Sequence, residues 1–364
     1  MDHEADERPA RLSLWKFVDQ AASHLFAGYF VLVMATGIVS IAAYLVQIVP
    51  IARVLFQLNK LAYGSLFLLT VARAVRYFPR LFADLTSHSR GPGLLTMVAG
   101  TCILGSQFVV LNQDFTAGFY FWLLGIILWC ILMYTFLTAV MIREGKPDLE
   151  AGLNGDWLIT VVATQSVSLL GTLVAPRFGV EEEAVLFLAL CTYLLGCVLY
   201  ILIISLIFYR LTFFALTPEE FTPSYWVNMG AVAITTLAGS LLILIAPQWS
   251  FLREILPFLM EFTLFFWVIG TWWIPLIVFL EVWRHLFNRF PVRYDPRYWD
   301  IVFPLGMYTT STFELGKATG LPVLIPVSQY FVYFALLAWA SIFIGLIHRL
   351  FNACRPMHQT ATKR

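Results

Sequence analysis

The sequence predicts an all-α integral membrane protein with ten transmembrane helices, arranged as five hairpins of one odd and one even helix. Apolar residues make up 60% of the 364 positions and charged residues only 12%, whereas a soluble domain carries about 25% charged residues. The apolar residues fall into ten runs, and a helix needs roughly 20 residues to cross a bilayer. Proline and glycine separate the runs.

The ten predicted spans cover one transmembrane domain, residues 26–352. In chain order they are residues 26–48, 55–77, 94–112, 117–142, 157–175, 183–211, 226–247, 252–284, 301–316 and 325–352. The ninth run is short, and a start at Trp299 or slightly earlier would make it long enough to span.

Residues 1–25 form a predicted cytoplasmic segment, and residues 353–364 a predicted cytoplasmic tail. Residues 11–24 alternate apolar and polar side chains, which predicts an amphipathic helix lying on the membrane surface. A disordered tail is the alternative for residues 1–10. The first apolar run is longer than a signal-peptide core, so we interpret it as a span that is not cleaved.

The distribution of basic residues predicts the orientation. With the N-terminus in the cytoplasm, most of the 23 lysine and arginine residues fall in cytoplasmic segments. An even number of spans then places both termini on the cytoplasmic side. We expect the inner membrane of a bacterium.

The odd runs are richer in Ser, Thr, Asn, Gln and Gly than the even runs. Polar side chains avoid lipid and turn toward the protein interior or a wet cavity, so the bias predicts an inner pore ring of odd helices within an outer ring of even helices. The alternative for any single hydroxyl is an ordinary helix–helix contact. The predicted pore-lining residues are Thr36, Gly37, Ser40, Thr101, Gly105, Ser106, Thr164, Gln165, Ser168, Thr235, Thr236, Ser240, Thr309 and Thr310.

The odd runs also lack lysine, arginine and histidine, and their one acid is Glu314. Tight capture of a dicarboxylate usually requires a basic side chain at mid-depth, whereas conduction requires weak binding. The sequence therefore favours a channel over a tight-binding carrier.

Several stretches carry a resemblance to a known family: GYFVLVMATGIVS at residues 28–40, YWDIVFPLGMYTT at 298–310, TWWIPL at 271–276 and VWRH at 282–285. The sequence resembles the tellurite-resistance/C4-dicarboxylate transporter family, which includes the plant slow anion channels of the voltage-dependent anion channel superfamily. The resemblance implies a homotrimer with one pore per subunit, formed by the five odd helices. It also implies that a phenylalanine occludes the closed pore, and the matching residues here are Phe303 and Pro304.

Glu261 lies within the eighth run and is a candidate proton-coupling site, because acids inside membranes are usually functional. Pairing with a neighbouring helix or subunit is the alternative. Glu314 and Lys317 are three residues apart, a spacing that brings side chains together on one helix face.

Two functions remain open at this stage. The first is a passive channel for chloride, nitrate or similar small anions, and the second is a proton-coupled carrier or exporter of C4-dicarboxylates such as malate, or of sulfite. No HExxH, GxSxG or phosphate-loop motif indicates an enzyme. We predict no cofactor or metal and no nucleic-acid partner, only small anions, the lipid bilayer and further copies of the chain. Tellurite resistance would be a side effect of anion permeation.

Overall fold

The computed structural model describes residues 19–292 and 294–361, with the side chains at 180 and 352–361 outside that description. Most of the predicted amphipathic helix at residues 11–24 therefore lies outside the described residues, although residues 19–23 are helical.

Ten long helices make up most of the described chain. They are α1 Val31–Leu45, α2 Val49–Arg76, α3 Thr96–Asn112, α4 Phe115–Ile142, α5 Ile159–Val174, α6 Glu182–Phe213, α7 Val227–Ile245, α8 Leu256–Val282, α9 Trp299–Thr319 and α10 Leu324–Ala361.

Local chemistry fixes several of these ends. The Asp114 carboxylate accepts a hydrogen bond from the Ala117 N–H at 2.9 Å and caps the start of α4. Pro50 occupies the first turn of α2, where no N–H donor is needed. Gly320 adopts a left-handed φ of 68° and ends α9. Short helical turns lead into four odd helices, at Gly91–Leu94, Gly155–Leu158, Pro223–Trp226 and Pro296–Tyr298.

Eight helices in the described part of the chain are long and apolar enough to cross a membrane. The two others are α1, which has only 15 residues, and α9, which contains Asp300, Glu314 and Lys317. Integral membrane insertion is thus supported, while a count of ten spans goes beyond these criteria of length and composition.

Burial divides the long helices into two groups. In the apolar windows that include α3, α5 and α7, 83–94% of the residues are buried, against 11–44% for the five even helices. The odd helices contact one another in the cyclic order α1, α3, α5, α7, α9 and back to α1. Each even helix lies outside this inner ring and packs mainly against the odd helix of its own hairpin.

Three buried arginines at the ends of even helices donate hydrogen bonds to backbone carbonyls next to the inner ring. Arg73 near the end of α2 donates to the Leu25 carbonyl, Arg210 in α6 to Glu150, and Arg284 just after α8 to Pro218, at 2.8–3.0 Å. Each carbonyl belongs to the segment that leads into the odd helix of the same hairpin. We call the end of the bundle marked by Arg73, Arg210 and Arg284 the basic end.

Candidate functional site

A cavity of about 360 Å³ lies inside the inner ring, toward the end opposite the basic end. All five odd helices contribute to its wall. Most of the lining is aliphatic, and its polar groups are the hydroxyls of Tyr44, Ser106 and Thr310, the Gln113 amide and the Glu314 carboxylate. The lining residues from the odd helices are Ile38, Ile41, Tyr44, Leu45, Ile103, Ser106, Val109, Val110, Leu169, Leu173, Leu237, Leu241, Thr310 and Glu314.

The charge of the cavity comes from Glu314. Its carboxylate accepts a hydrogen bond from Lys317 Nζ at 3.0 Å, as the three-residue spacing predicts. The Glu314 side chain is buried, whereas that of Lys317 is 49% exposed. The lysine therefore offsets the carboxylate from outside the cavity, and the cavity wall itself carries no cation among the described lining residues.

Phe303 lies outside the lining of this cavity, between the cavity and the basic end. It precedes Thr310 by seven residues, which places both on the same face of α9 about 10 Å apart along the helix axis. The Phe303 side chain is fully buried. A Cβ atom on Gly230 of α7 would lie 3.1 Å from Phe303 Cε1 and 2.9 Å from Pro304 Cγ.

Gly230 shares a face of α7 with Leu237, seven residues later, and Leu237 lines the cavity. The phenyl ring therefore packs against the inward face of α7, at a position where glycine has no side chain. Pro304 lies inside α9 and lacks the N–H that would bond to the Asp300 carbonyl. The absence of a side chain at Gly230 leaves room for the phenyl ring between α7 and α9 at this level.

Two carboxylates lie one or more turns closer to the basic end than Phe303. Asp300 is buried at the start of α9, and Asp156 is half-buried just before α5. They interact electrostatically with each other and with Arg297. The Asp156 side chain also hydrogen-bonds to Ser224, before α7. The beginnings of three odd helices thus meet in one charged cluster.

Arg297 forms an ion pair with Asp295 at 2.9 Å beside this cluster. Burial raises the pKa of the Asp295 carboxyl, but hydrogen bonds from the Arg297 side chain and backbone outweigh burial and hold that pKa below its usual range. The side-chain hydrogen bond that Arg297 donates to Asp295 in turn raises the pKa of Arg297. Asp295 therefore stays ionised at neutral pH, and the positive charge of Arg297 is shared among Asp295, Asp156 and Asp300.

Six of the predicted pore-lining side chains bond to the outer ring. Their partners are Trp and Tyr side chains or backbone carbonyls of even helices, at 2.7–3.0 Å. The pairs are Thr36 with Trp339, Ser40 with Ala52, Thr101 with Tyr63, Thr164 with Trp129, Gln165 with Tyr193, and Ser168 with Ala189.

The other predicted hydroxyls donate to the carbonyl four residues earlier in their own helix. They are Ser106, Thr235, Thr236, Ser240, Thr309 and Thr310. Of the whole predicted set, Ser106 and Thr310 line the cavity.

The two predicted glycines mark close helix contacts. A Cβ atom at Gly37 would lie 2.6 Å from Ile103 Cγ2, and one at Gly105 would lie 2.6 Å from Leu170 Cδ2.

Glu261 lies on the exposed surface of α8. It is not among the residues that line the cavity, and no described residue forms an ion pair with it. A place at a subunit contact stays a prediction.

Sequence reasoning missed the tryptophans of the outer ring. Trp129, Trp267 and Trp339 each donate an indole N–H to a threonine of an odd helix, at 2.9–3.0 Å. These residues lie within apolar runs in which any tryptophan fits a lipid-facing position equally well. Threonines are so common in the odd helices that their presence does not reveal which tryptophan each one contacts.

Comparison with known proteins decides the family. Residues 24–347 match the sequence profile of the voltage-dependent anion channels. The chain belongs to the voltage-dependent anion channel family. The resemblance found in the sequence is confirmed at this level, and the general activity that the family supports is anion transport across a membrane.

Relatives in this family cover the chain to different extents. An uncharacterized transporter of Methanocaldococcus jannaschii is 22% identical over 90% of this chain and 95% of its own length. A sulfite efflux pump of Arthroderma otae is 24% identical over 95% of both chains. An uncharacterized membrane protein of Mycobacterium tuberculosis is 36% identical over 42% of this chain and 77% of its own length.

Proposed function

We propose that this member of the voltage-dependent anion channel family is a passive channel for small monovalent anions such as chloride or nitrate. The pore runs inside the ring of odd helices, and Phe303 with Pro304 closes it. The observation that carries the proposal is a cavity lined by all five odd helices that stops short of one fully buried phenyl ring on the same helical face.

The chemistry of the cavity supports weak binding. Its described lining holds three hydroxyls, one amide, one carboxylate and many aliphatic side chains, with no arginine, lysine or histidine. A site without a basic side chain holds an anion loosely, and conduction requires an ion that leaves again. At the basic end all five odd helices begin, and the positive ends of helix dipoles favour an anion there.

The arrangement in the membrane is part of the same proposal. All ten long helices cross the bilayer, the basic end faces the cytoplasm, and both termini lie on that side, as the bias of lysine and arginine favours. Three subunits assemble with one pore each, an expectation that comes from the family resemblance.

Export of sulfite is the second candidate. The sulfite efflux pumps that align with nearly the whole chain favour it. Transport of C4-dicarboxylates such as malate has no comparable support in the cavity, where no basic pair stands ready to bind two carboxylates. In a proton-coupled carrier Glu314, which lines the cavity, is a better coupling site than Glu261 on the outer surface.

Anion flux in sealed proteoliposomes tests the proposal. We expect chloride and nitrate to follow their own electrochemical gradients whether or not a pH gradient is imposed. Uphill accumulation of sulfite or malate driven by a pH gradient would replace the channel with a coupled carrier. Liposomes without protein provide the baseline leak for each anion.

Phe303→Ala tests the closure. Removing the ring opens the inner ring at that level, so chloride flux should rise several-fold while expression and assembly stay the same. Phe334→Ala, on the exposed side of α10, is the matched control and should leave the flux unchanged. Equal flux in the wild type and a well-folded Phe303→Ala variant would remove Phe303 from this role.

A further inference from the structure

A second and larger cavity, of about 650 Å³, lies at the basic end outside the inner ring. Its wall combines the segments that lead into α1 and into α3 with a short helix, Phe78–Leu85, which follows α2. Three arginines line it, Arg73, Arg80 and Arg90. Two carboxylates, Asp84 and Asp156, also reach it, so positive charge is in excess.

Arg73 forms the base of this cavity and is 4% exposed. Its guanidinium donates to the Leu25 carbonyl at 2.8 Å and to the Asp84 carboxylate at 2.6 Å. Its Nε–H is buried and has no hydrogen-bond partner among the residues that the structure describes. Asp84 also accepts from Arg90 at 3.2 Å. The Asp84 carboxylate thus accepts from both Arg73 and Arg90, and the Nε–H of Arg73 remains available to a further acceptor.

The short helix Phe78–Leu85 has two different faces. Leu85 is buried and packs with the adjacent core, whereas Phe78 and Phe82 are 58% and 47% exposed. Their rings stack with centroids 6.0 Å apart. Arg80 and Asp84 of the same helix line the cavity. An amphipathic helix with exposed aromatic and basic side chains is typical of the boundary between lipid and water.

We propose that this cavity binds the headgroup of an anionic phospholipid. The phosphate lies between Arg80 and Arg90 above Arg73, because guanidinium groups match phosphate oxygens in geometry and charge. The acyl chains follow Phe78 and Phe82 into the bilayer. A zwitterionic headgroup fits less well, since its cation meets the excess of arginine. This role goes beyond anion conduction and does not depend on it.

Lipid binding is measured on the purified, detergent-solubilised full chain, without any flux. Short-chain phosphatidylglycerol, phosphatidylcholine and inorganic phosphate are each titrated and followed by native mass spectrometry and by the unfolding temperature. We expect phosphatidylglycerol to bind at least tenfold more tightly than phosphatidylcholine. The double variant Arg80→Gln with Arg90→Gln should weaken phosphatidylglycerol binding by about 30-fold, since each basic residue near an anionic headgroup contributes about a fivefold step.

Two further variants distinguish binding of the whole lipid from binding of its phosphate alone and from a general effect of net charge. Phe78→Ala with Phe82→Ala should weaken phosphatidylglycerol but leave inorganic phosphate unchanged. Lys146→Gln with Arg289→Asn removes two exposed positive charges that do not line the cavity, and it should bind like the wild type. All three altered residue pairs lie on the surface, so circular dichroism and gel filtration should match the wild type.

Several results would overturn the proposal. Equal affinity for the two phospholipids would do so, as would full affinity in the Arg80→Gln, Arg90→Gln variant. Equal losses in that variant and in the Lys146→Gln, Arg289→Asn control would show a general charge effect. Inorganic phosphate that competes fully, together with no effect of the phenylalanine changes, would make this a site for free phosphate and exclude the lipid.

Discussion

The outward and inward faces of the odd helices use their side chains in different ways. On the outward face Thr36, Thr164 and Gln165 bond to the outer ring. On the inward face Ile38, Leu169 and Leu237 line the cavity with aliphatic carbon. The polar residues that set the odd helices apart in the sequence therefore bond either to the outer ring or to their own helix backbone, and only Ser106 and Thr310 of the predicted set line the cavity.

This difference changes what an excess of hydroxyls means in a membrane helix. Lipid offers no hydrogen bonds, so a polar side chain between two helices finds its partner on the neighbouring helix or in its own backbone. Such a contact fixes the rotation of one helix against the next. The inward face is then left to other side chains, which in this cavity are mainly aliphatic.

The largest expected effect is a loss of stability on the outward face of α7. A Cβ atom at Gly239 would clash with Thr263 Oγ1 and approach the Tyr193 hydroxyl at 2.9 Å, both on even helices. Gly239→Ala should therefore cost about 1–3 kcal/mol, the usual range for overpacking. The free energy of unfolding in detergent measures it.

Gly64→Ala on α2 is the matched control, because a Cβ atom there meets nothing within 4 Å. Its stability should stay the same or rise by up to about 1 kcal/mol, the difference in helix propensity. If the two variants were equally stable, close packing between the rings would not explain Gly239.

A smaller loss of stability is expected from the bond between Trp267 and Thr312. The indole N–H donates to the threonine hydroxyl at 2.9 Å. Trp267→Phe and Thr312→Val should each destabilise the protein by about 0.6–1.7 kcal/mol, the range for hydrogen bonds between membrane helices. The double variant should cost less than the sum of the two.

Trp272→Phe serves as the control for the tryptophan change, since Trp272 is largely exposed on α8. It should have little effect on unfolding. Strict additivity of Trp267→Phe and Thr312→Val would mean that the two side chains do not stabilise each other.

The smallest expected effect is on transport. The same change, threonine to valine, is made on the inward and on the outward face of the odd helices. Thr310 lines the cavity, so Thr310→Val should lower chloride flux about threefold if the lost hydroxyl contact is worth about 0.7 kcal/mol. Thr36 bonds to Trp339 on the outward face. Thr36→Val should lower stability and leave the flux per folded protein unchanged. The reverse pattern would place the anion path outside the inner ring.

Much of the fold follows from hydropathy alone, whereas the orientation of side chains does not. The runs of apolar residues locate nine of the ten long helices closely, and the poorly apolar α9 still begins at Trp299, the start that the sequence required for its length. Composition also separates odd helices from even ones. It does not reveal which face of an odd helix turns inward, because Thr36 and Thr310 are the same residue type in similar apolar surroundings.

The candidate site shows the same limit. Glu314 and Lys317 were paired from their spacing, and that pair is present. Asp156, Asp300 and Arg297 come from distant parts of the chain, and only the meeting of three helix starts brings them together. Phe303 stood out in the sequence through the family resemblance, since one phenylalanine among 32 carries no signal of its own.

The closed order of the inner ring has a consequence for biosynthesis. The hydrogen bond between Trp339 and Thr36 joins residues 303 positions apart in the chain, and α9, the neighbour of α1 in the ring, is made almost last. A nascent chain that ends before α9 is an open arc whose first helix has no second neighbour. Such a chain leaves the surfaces of α1 and α7 that face α9 without their partner in the inner ring.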